Sequence, residues 1–565
     1  MRSSRAPRLL LSGYRSSRYI FRGSQRLQIL RNGYCSACPD AQGAGPTGTA
    51  KAVTNPPTPP ADHRQLAIEQ DLYINSKYSP GSPLFGPNGA RIFNKLTNFL
   101  RAQYSQFGFQ EVITPTIYKK SLWEKSGHWE NYKDDMYSVT GRGASGERDG
   151  KELQEDEEYG LKPMNCPGHC LIFASQPRSY REMPVRYADF SPLHRNENSG
   201  SLSGLTRVRR FHQDDGHIFC RPSQIGEEIS DTLEFVRMVY QTLGLGPYRL
   251  TLSTRPKDSF IGTIGEWDSA EAALKKSLNE SGQVWTMNEG DGAFYGPKID
   301  IILKDSDGKE HQTATIQLDF QLPKRFALEY QAPAPELEKK GETTTDPELL
   351  ATSGAVTPVL IHRAVLGSVE RLMALLIEHY NGKYPFWLNP RQVIVITVND
   401  EKPVLKYANS IVSALRPLRT IKTAATSRQG EKIATSDGLP RSAPIRGYTL
   451  AVDLDDSPRS VKKKISEAKR KRYSVIIVVG QKNATQGTLN VDLSGIPDPH
   501  GWIQKKAYSL CAPMRNGTSK SEEVLNSPLP DKTTEGFRPE HLKDVTFHGH
   551  MQLFTLLEQM EKNYI

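Results

Sequence analysis

The sequence predicts an α/β protein made of two folded domains behind a separate leader segment. With 565 residues, the chain is too long for one ordinary hydrophobic core. Residues 190–219 alternate with a period of two on both sides of a loop rich in turn-forming residues, which predicts a β-hairpin. After residue 388, apolar runs alternate with amphipathic segments, which is typical of a βαβ domain with a mainly parallel sheet. We therefore place the leader and its linker at 1–60, the first domain at 61–388 and the second at 389–565.

The leader has the composition of an organelle transit peptide. Residues 1–39 contain eight arginines, several serines and no acidic residue, while 41–60 form a linker rich in Pro, Gly and Thr. The high arginine frequency favours a mitochondrion over a plastid, so we expect the mitochondrial matrix as the destination. A basic nucleic-acid-binding arm is the alternative. Cys35 and Cys38 have zinc-knuckle spacing, but no second pair follows, so we assign them no metal.

Composition excludes two classes of protein. The chain has no apolar run of the roughly 20 residues that a membrane-spanning helix needs, so we expect no membrane insertion. Its six cysteines are too few and too dispersed for a disulfide framework, which indicates a reducing compartment. The net charge of +10 is concentrated in the leader and in residues 391–480, which hold eighteen Lys or Arg and eight acidic residues.

The predicted hairpin presents several kinds of polar side chain on one face. Arg195 and Glu197 share a face before the loop, and alternate residues after it continue that face: Arg207, Arg209, Phe211, Gln213, Asp215 and His217. Arginine forks suit phosphate oxygens, an aromatic ring can stack on a base, and a carboxylate can accept from an exocyclic amine. The face therefore indicates a binding site for a charged aromatic ligand. A solvated strand with surface ion pairs is the alternative.

The same segment carries a family resemblance. The sequence RNE at 195–197, the loop and RVRRF at 207–211 resemble motif 2 of class II aminoacyl-tRNA synthetases. The continuation FHQDDGHIF and the upstream KPMNCPGH resemble threonyl-tRNA synthetases in particular, and the likeness runs from about residue 62 to 480. It implies an α+β catalytic domain with a class II antiparallel sheet and a smaller α/β anticodon-binding domain. The implied enzyme is a threonine–tRNA ligase, which forms threonyl-adenylate from threonine and ATP, releasing AMP on transfer to threonine tRNA.

Two further segments resemble motifs of this class. A helix over 91–104 followed by EVITPTIY, a strand interrupted by Pro115, is similar to motif 1, which implies a homodimer. VLIHRAVLGSVER is similar to motif 3, a strand that enters a helix with Gly367 at the bend and Arg371 one turn in.

The resemblance also implies a metal site. Cys166, His217 and His362 each lie inside a matching motif, and they are the implied ligands of one Zn²⁺ per subunit. One thiolate and two imidazoles leave coordination open for a substrate. A β-hydroxy amino acid can complete the sphere through its amino and hydroxyl groups, whereas valine has no hydroxyl. Asp215 can accept the hydroxyl proton, and Cys170 and Cys220 are rival thiols.

The resemblance assigns roles to the rest of the pocket. Arg195 and Arg371 are implied to be catalytic through the charge that they place on the phosphates, with Mg²⁺ bound alongside ATP. The implied ATP-binding residues are Arg195, Glu197, Arg207, Phe211, Gln312, Thr315 and Arg371. The implied threonine-binding residues are Met164, Gln213, Asp215, Tyr295, Lys298 and Gln317. Ala314 stands where the family usually has glycine, which adds a methyl group near the nucleotide or the amino acid and leaves the fine shape of the pocket open.

His128 and the basic part of the second domain are the expected tRNA contacts. His128 matches a family histidine near the terminal ribose, where an imidazole suits a base or proton relay; a packing histidine is the alternative. A helix near 459–472 carries Lys462, Lys463 and Lys464, which we expect to contact tRNA rather than to form only a solvated face. The segments 140–158, 420–446 and 495–547 are predicted insertions, and 545–564 is a predicted closing helix.

Two alternatives remain on sequence grounds. A non-catalytic nucleic-acid-binding protein on the same fold would be expected to lose the motif arginines, which are present. Another class IIa synthetase, such as a prolyl enzyme, would not need the Cys166, His217 and His362 set. Larger family members carry an N-terminal editing domain; only the leader and linker precede the first domain here, so we expect none.

Overall fold

A computed structural model describes most of the two predicted domains. It describes residues 60–139, 158–257, 260–305, 308–416, 450–498, 501–511 and 542–565. The predicted leader with Cys35 and Cys38, the insertion at 420–446 and nearly all of the one at 140–158 lie outside the described residues.

The described residues form helices and strands in an order typical of a mixed α/β chain. The helices are α1 His63–Glu69, α2 Pro87–Tyr104, α3 Lys120–Ser126, α4 His128–Tyr132, α5 Cys166–Ala174, α6 Ile225–Thr242, α7 Ile264–Glu280, α8 Gln321–Arg325, α9 Pro335–Glu338, α10 Pro347–Leu350, α11 Val369–His379, α12 Lys402–Leu415, α13 Val461–Arg470, α14 Gln481–Gln486, α15 Trp502–Cys511 and α16 His550–Lys562. The strands are β1 Tyr73–Ile74, β2 Leu84–Phe85, β3 Gln110–Glu111, β4 Ile117–Lys119, β5 Ser138–Val139, β6 Tyr159–Leu161, β7 Val185–Asp189, β8 Pro192–His194, β9 Arg210–Cys220, β10 Arg249–Ser253, β11 Trp285–Asn288, β12 Lys298–Lys304, β13 Glu310–Asp319, β14 Tyr330–Pro333, β15 Ser353–Val356, β16 Val359–Ser368, β17 Val393–Thr397, β18 Val452–Asp455, β19 Val475–Val479, β20 Thr488–Asp492 and β21 Val545–His548.

A nine-stranded sheet forms the core of the first domain. Its order is β11-β10-β12-β13-β16-β9-β7-β3, with β8 also paired to β9. Neighbouring strands are antiparallel except at the two ends, where β10 and β11 and also β3 and β7 run parallel. The hairpin prediction is confirmed, because β8 pairs antiparallel with β9 and sets Leu193 opposite Phe211. The strand β9 lies between β16 and β7, which places its side chains at the middle of the sheet.

The helix of motif 1 is longer than predicted. The apolar stripe that predicted it is buried, but α2 begins at Pro87 rather than at Arg91. Proline suits a first helical position, because its φ is preset and its missing N–H would have no partner there. The strand that follows is interrupted as predicted: β3 joins the large sheet, and after Pro115 the chain continues as β4 in a three-stranded sheet with β6 and β5.

The strand-to-helix bend of motif 3 is also as predicted. Gly367 has φ +60°, and a Cβ there would lie 2.6 Å from the Thr313 carbonyl oxygen, so the bend requires glycine. Ser368 caps α11, since its side chain accepts a hydrogen bond from the Arg371 backbone N–H. These features place Arg371, in the first turn of α11, on the same face of the sheet as the side chains of Gln213 and His217 on β9.

The second domain has a five-stranded sheet in the order β18-β17-β19-β20-β21. The first three strands are parallel, but β20 and β21 are antiparallel, so the prediction of a mainly parallel sheet holds for only part of it. The region predicted as an irregular insertion at 495–547 contains α15 and most of β21, and the closing helix begins only at His550. β21 is four residues long, which is too short for its period-two pattern to stand out in the sequence.

The two sheet-containing parts contact each other through ion pairs. Lys95 on α2 pairs with Glu561 on α16 at 2.8 Å, and Arg391 pairs with Asp71 at 2.5 Å. Within the part of the chain that the structure describes, every helix is too short or too polar to cross a bilayer.

Candidate active site

A cavity of about 510 Å³ lies over β9, β13 and β16. Its lining contains all the residues that the sequence assigns to ATP, to threonine and to the metal; they are Met164, Cys166, Arg195, Glu197, Arg207, Phe211, Gln213, Asp215, His217, Tyr295, Lys298, Gln312, Thr315, Gln317, His362 and Arg371. The sheet brings these distant segments together because β9, β13 and β16 are adjacent in it. The predicted tRNA lysines and His128 do not line the cavity.

One end of the cavity is strongly cationic. Arg371 is held by its backbone acceptors, since Nε donates to the Thr206 carbonyl at 3.0 Å and Nη1 donates to the Gln312 carbonyl at 3.0 Å. Burial, together with repulsion from Arg195 and Arg207, lowers the pKa of Arg371. Three guanidinium groups that repel one another form a site suited to a polyanion.

The other members of the hairpin face support this end. The Arg195 guanidinium lies 5.0 Å from the centre of the Phe211 ring, in a cation–π contact. Glu197 accepts from Arg207, whose Nη2 lies 2.8 Å from its Oε2. A carboxylate has more than two acceptor positions, so this pairing leaves Glu197 able to accept from a ligand.

The predicted alternation is wrong at Arg209. β9 begins only at Arg210, and the preceding residues form a loop in which Val208 rather than Arg209 lines the cavity. The Arg209 backbone N–H donates to Gly81 at 2.7 Å, and its guanidinium donates to the Glu197 carbonyl at 2.9 Å. These bonds turn the Arg209 side chain away from the ligand face, so it supports the loop instead.

The opposite end of the cavity brings the three predicted metal ligands together. Cys166 begins α5, while His217 on β9 and His362 on β16 are directly opposite each other in the antiparallel register. One potential ligand atom from each residue lies within 4.8 Å of the other two. All three residues are buried, with exposures of 2%, 1% and 6%.

The donor set fits zinc. Nε2 of His217 and Nδ1 of His362 face each other at 2.9 Å, and Nε2 of His362 lies 2.8 Å from Asp319 Oδ2. A carboxylate behind a metal-binding imidazole orients the ring and fixes its tautomer. Burial raises the pKa of the Cys166 thiol well above its ordinary value, and a coordinated cation would reverse that preference by stabilising the thiolate. Neither rival thiol, Cys170 or Cys220, lines the cavity.

The predicted threonine-binding residues surround this set. Asp215 Oδ1 lies 3.9 Å from His217 Nε2, and burial raises the pKa of its carboxyl group. The Tyr295 hydroxyl donates to Gln317 Oε1 at 2.5 Å. Ala314 is 2% exposed and borders the cavity, but it pairs with Ile301 and belongs to the hydrophobic core, so its methyl group packs on the core face of the sheet.

Asp300 is a buried residue that sequence reasoning missed. Its carboxylate accepts from Gln312 Nε2 at 2.5 Å and from Thr315 Oγ1 at 3.1 Å, and it lies 3.0 Å from Lys298 Nζ. It therefore holds three predicted site residues in place. The available signal was strand periodicity, because Asp300 is two residues from Lys298 and shares its face of β12. Asp319 gave no comparable signal, because its partner His362 is distant in sequence.

His128 lies behind Cys166 instead of on the cavity wall. Its Nδ1 lies 2.7 Å from Ser126 Oγ, and because that hydroxyl donates to the Trp123 carbonyl, it accepts from Nδ1. The unprotonated Nε2 lies 3.7 Å from Cys166 Sγ. Burial, with smaller contributions from nearby cations, lowers the pKa of His128 to about 3.

The structure corrects the prediction for Lys464. Lys462 and Lys463 are exposed on α13, but Lys464 is buried, and its Nζ donates to the Thr397 carbonyl at 2.9 Å. α13 packs on β17 along the face that contains Lys464, so a run of three lysines places one of them inward. Lys464 thus supports the second domain and has no exposed charge to offer a phosphate.

Comparison with protein families agrees with this arrangement. Residues 150–341 match the tRNA synthetase class II core domain (G, H, P, S and T), and residues 392–493 match the anticodon-binding domain. The mainly antiparallel sheet, its cationic cavity and the anticodon-binding domain that follows define a class II aminoacyl-tRNA synthetase.

Sequence relatives define the family within that class. The chain is 46% identical to the probable mitochondrial threonine–tRNA ligase of Schizosaccharomyces pombe, over 79% of this chain and 88% of that protein. It is also 46% identical to the mitochondrial threonine–tRNA ligase of Saccharomyces cerevisiae, over 78% of this chain and 89% of that one. The chain therefore belongs to the threonyl-tRNA synthetase family, which confirms the resemblance and the predicted fold class.

Solved structures give the same result. A threonyl-tRNA synthetase structure from Cryptosporidium parvum, described as an RNA binding domain, has a TM-score of 0.63 and 42% identity, covering 76% of this chain and 92% of that one. A putative threonyl-tRNA synthetase from Aeropyrum pernix has a TM-score of 0.58 and 29% identity, covering 77% of this chain and 90% of that one. A prolyl-tRNA synthetase from Giardia lamblia, at 17% identity and a TM-score of 0.50, shares the fold alone.

Proposed function

We propose that this chain activates threonine with ATP and transfers it to threonine tRNA in the mitochondrial matrix. The observation that carries this proposal is the register of β9 and β16. It sets His217 opposite His362, next to Cys166, at one end of a cavity whose other end holds three arginines. Such a cavity can hold a β-hydroxy amino acid beside a nucleoside triphosphate. The mitochondrial names of the two yeast relatives and the arginine-rich leader support the location.

The cationic end would bind ATP. Arg195 would stabilise the α-phosphate during attack, Arg207 and Arg371 would hold the outer phosphates, and Glu197 would accept from the adenine amine. Phe211, Gln312 and Thr315 complete this part of the site. Positioned charges that act on the charge developing in the transition state account for much of such a rate enhancement. ATP would bind with Mg²⁺, which would neutralise charge on its phosphates.

The buried end would bind threonine. Cys166, His217 and His362 would hold Zn²⁺, which when bound offers open positions to an amino and a hydroxyl group. Asp215 would accept the proton of the substrate hydroxyl. The Tyr295–Gln317 pair and Lys298 would hold the polar atoms of the amino acid. Met164 and Gln213 would contact its sides. The threonine carboxylate would then face the Arg195 end, where it attacks the α-phosphate and displaces pyrophosphate.

The second step would use tRNA, whose terminal ribose attacks the carbonyl of the adenylate and releases AMP. For His128 the geometry favours the packing alternative over a proton relay to the ribose, because the ring is buried behind Cys166 and its pKa is lowered to about 3. We assign tRNA contacts in the second domain to Lys462 and Lys463 on α13, which are exposed. The domain boundaries that we propose remain 61–388 and 389–565, behind a transit peptide and linker at 1–60.

Homodimerisation through motif 1 is part of the proposal. β3 ends the large sheet, and Ile113, two residues after it, is 86% exposed. Ile117 on β4 is also exposed, at 45%. Exposed apolar residues beside a sheet edge are typical of surfaces that a partner covers. Each subunit would hold one zinc ion.

ATP–pyrophosphate exchange across the twenty amino acids tests the proposed function. Threonine should support rapid exchange, and proline should support none above background. Exchange with proline would favour another class IIa synthetase. No exchange with any amino acid would favour a non-catalytic nucleic-acid-binding role.

A further inference from the structure

His169 is a buried imidazole that contacts a predicted metal ligand from behind. It lies on α5 three residues after Cys166, so both side chains are on the same face of that helix. Its exposure is 0%, and its Nδ1 lies 2.8 Å from Nδ1 of His217. The helix thus supplies one metal ligand directly and a support for a second ligand.

The contact determines which nitrogen carries each proton. Nε2 of His217 faces His362 and Cys166, so it is the ligand atom and carries no proton when a metal is bound. The proton of His217 is then on Nδ1, which donates to Nδ1 of His169. His169 must therefore carry its own proton on Nε2, because its Nδ1 is the acceptor.

The second nitrogen of His169 is directed toward a buried carboxylate. Among the described residues, no acceptor lies close enough to form a hydrogen bond with its Nε2. The nearest carboxylate contact recorded for it is Asp189 Oδ2, at 3.7 Å. Asp189 ends β7 and is 1% exposed. A buried N–H aimed at a carboxylate is the arrangement expected of an outer support for a metal-binding histidine.

Asp189 is held rigidly and remains charged. Its Oδ2 accepts from the Thr114 hydroxyl at 2.6 Å, and its Oδ1 accepts from the Ser191 backbone N–H at 2.6 Å. Burial would raise the pKa of Asp189, but these bonds and the neighbouring His169 and Lys162 lower it to about 2. The carboxylate is therefore fixed in both position and charge.

We propose that Asp189 and His169 are positioning residues that fix the tautomer and orientation of His217 and thereby set the metal affinity of the site. This inference rests on the proposed metal site and extends it to residues that do not touch the ion. The two metal-binding imidazoles are supported differently: Asp319 contacts His362 directly at 2.8 Å, whereas Asp189 acts on His217 through His169. The indirect support places the second carboxylate charge one ring farther from the ion.

The zinc dissociation constant of the full chain, measured by competition with a chromophoric chelator, tests the inference. His169→Leu removes the acceptor and retains an apolar side chain, so zinc should bind about 10–100-fold more weakly. His169→Asn places an amide oxygen near the former Nδ1, so its zinc affinity should lie much closer to that of the unmodified chain. Asp189→Asn should weaken zinc binding less than His169→Leu does, because the acceptor for His217 is retained.

Controls separate this inference from its premise. If the unmodified chain binds no zinc, the proposed metal site itself is wrong. If it binds zinc and folded His169→Leu binds zinc equally tightly, the positioning role is wrong. Should His169→Leu not fold, an unchanged zinc constant in folded Asp189→Asn would contradict the proposal.

A purely structural role gives a different pattern. It would lower the melting temperature of the variants while leaving their zinc constants alike. His311→Leu is the matched control, since His311 is also a buried imidazole, its Nε2 lies 2.6 Å from the Asp305 carboxylate, and it does not line the cavity. That change should leave the zinc constant unaltered, and an equal weakening there would overturn the assignment to His169.

Discussion

Arg371 is half-buried beside two other guanidinium groups, and these surroundings disfavour its positive charge. Burial and repulsion from Arg195 and Arg207 lower its pKa, which means that its charged form is disfavoured by its surroundings. A bound polyphosphate would reverse that balance by placing negative charge among the three arginines. At the residue scale, the three arginines therefore favour binding of a negatively charged substrate.

Arg195→Ala should lower the rate of threonine-dependent exchange by roughly 100–1000-fold, because a charged donor to the transition state is lost. Arg210→Ala is the control: Arg210 begins β9 opposite His194, the residue before Arg195, but it is exposed and is not part of the cavity lining. Circular dichroism should show both variants folded. An unchanged exchange rate in folded Arg195→Ala would remove the phosphate role.

Amino-acid selection should differ sharply between serine and valine. Serine has the amino and hydroxyl groups of threonine and lacks one methyl group, which a pocket can use for only about 10–200-fold discrimination. Valine leaves Asp215 and a metal position unpaired, so its rejection should be on the order of 10⁴-fold or more. The ratios of kcat/KM in exchange measure both quantities. Valine activation as efficient as that of serine would contradict the threonine-binding assignment.

At the scale of elements, the motif 2 loop is held from two directions. The Leu205 backbone N–H donates to His63 Nε2 at 3.2 Å, and His63 Nδ1 lies 2.7 Å from Glu378 on α11. From the other side, Arg371 donates to the Thr206 carbonyl. Both contacts depend on residues of α11, Glu378 and Arg371, so that helix fixes the loop that carries Arg207.

Gly204→Ala should disturb this loop. A Cβ at Gly204 would lie 2.1 Å from His63 Nε2, and the residue has φ +49°, so the loop must shift. We expect KM for ATP to rise by about 10–100-fold while KM for threonine changes little. Gly200→Ala, in the same loop, should leave both constants unchanged, because an added Cβ there meets nothing within 4 Å. Equal effects of the two changes would show that the His63 contact does not support ATP binding.

Sequence reasoning succeeded where the signal was local. The resemblance to family motifs, together with the parity of β9, predicted sixteen of the residues that line the cavity, and the motif 3 resemblance predicted the bend at Gly367 before α11. It failed where partners meet only in the fold. His63, His169 and Asp189 are separated by long stretches from the groups that they contact, so no period or spacing relates them. Lys464 failed for the opposite reason, because a run of charges does not show which one a helix turns inward.

For the whole molecule, the second domain supplies a charged surface away from the catalytic cavity. Lys462 and Lys463 lie exposed on α13, whereas Lys464 stabilises the packing of that helix on β17. The two domains contact each other through pairs such as Lys95 with Glu561, so these pairs would hold the proposed tRNA-binding surface in a defined position relative to the cavity.

Neutralising Lys462 and Lys463 to alanine should weaken tRNA binding. The slope of log affinity against log salt should fall by about 1–2, since each phosphate contact contributes roughly 0.7–0.9. Threonine activation without tRNA should not change. Alanine at Lys275 and Lys276, exposed on α7, removes the same charge and should leave tRNA affinity nearly intact. Equal losses in the two double variants would assign the effect to net charge alone.

The central claim, threonine activation at a site built from Cys166, His217 and His362, is tested most directly by measuring zinc content and threonine-dependent exchange together in Cys166→Ala. The account predicts that both fall together, while Cys170→Ala, another buried thiol one turn along α5, retains both. Full zinc occupancy with normal threonine activation in Cys166→Ala would contradict it.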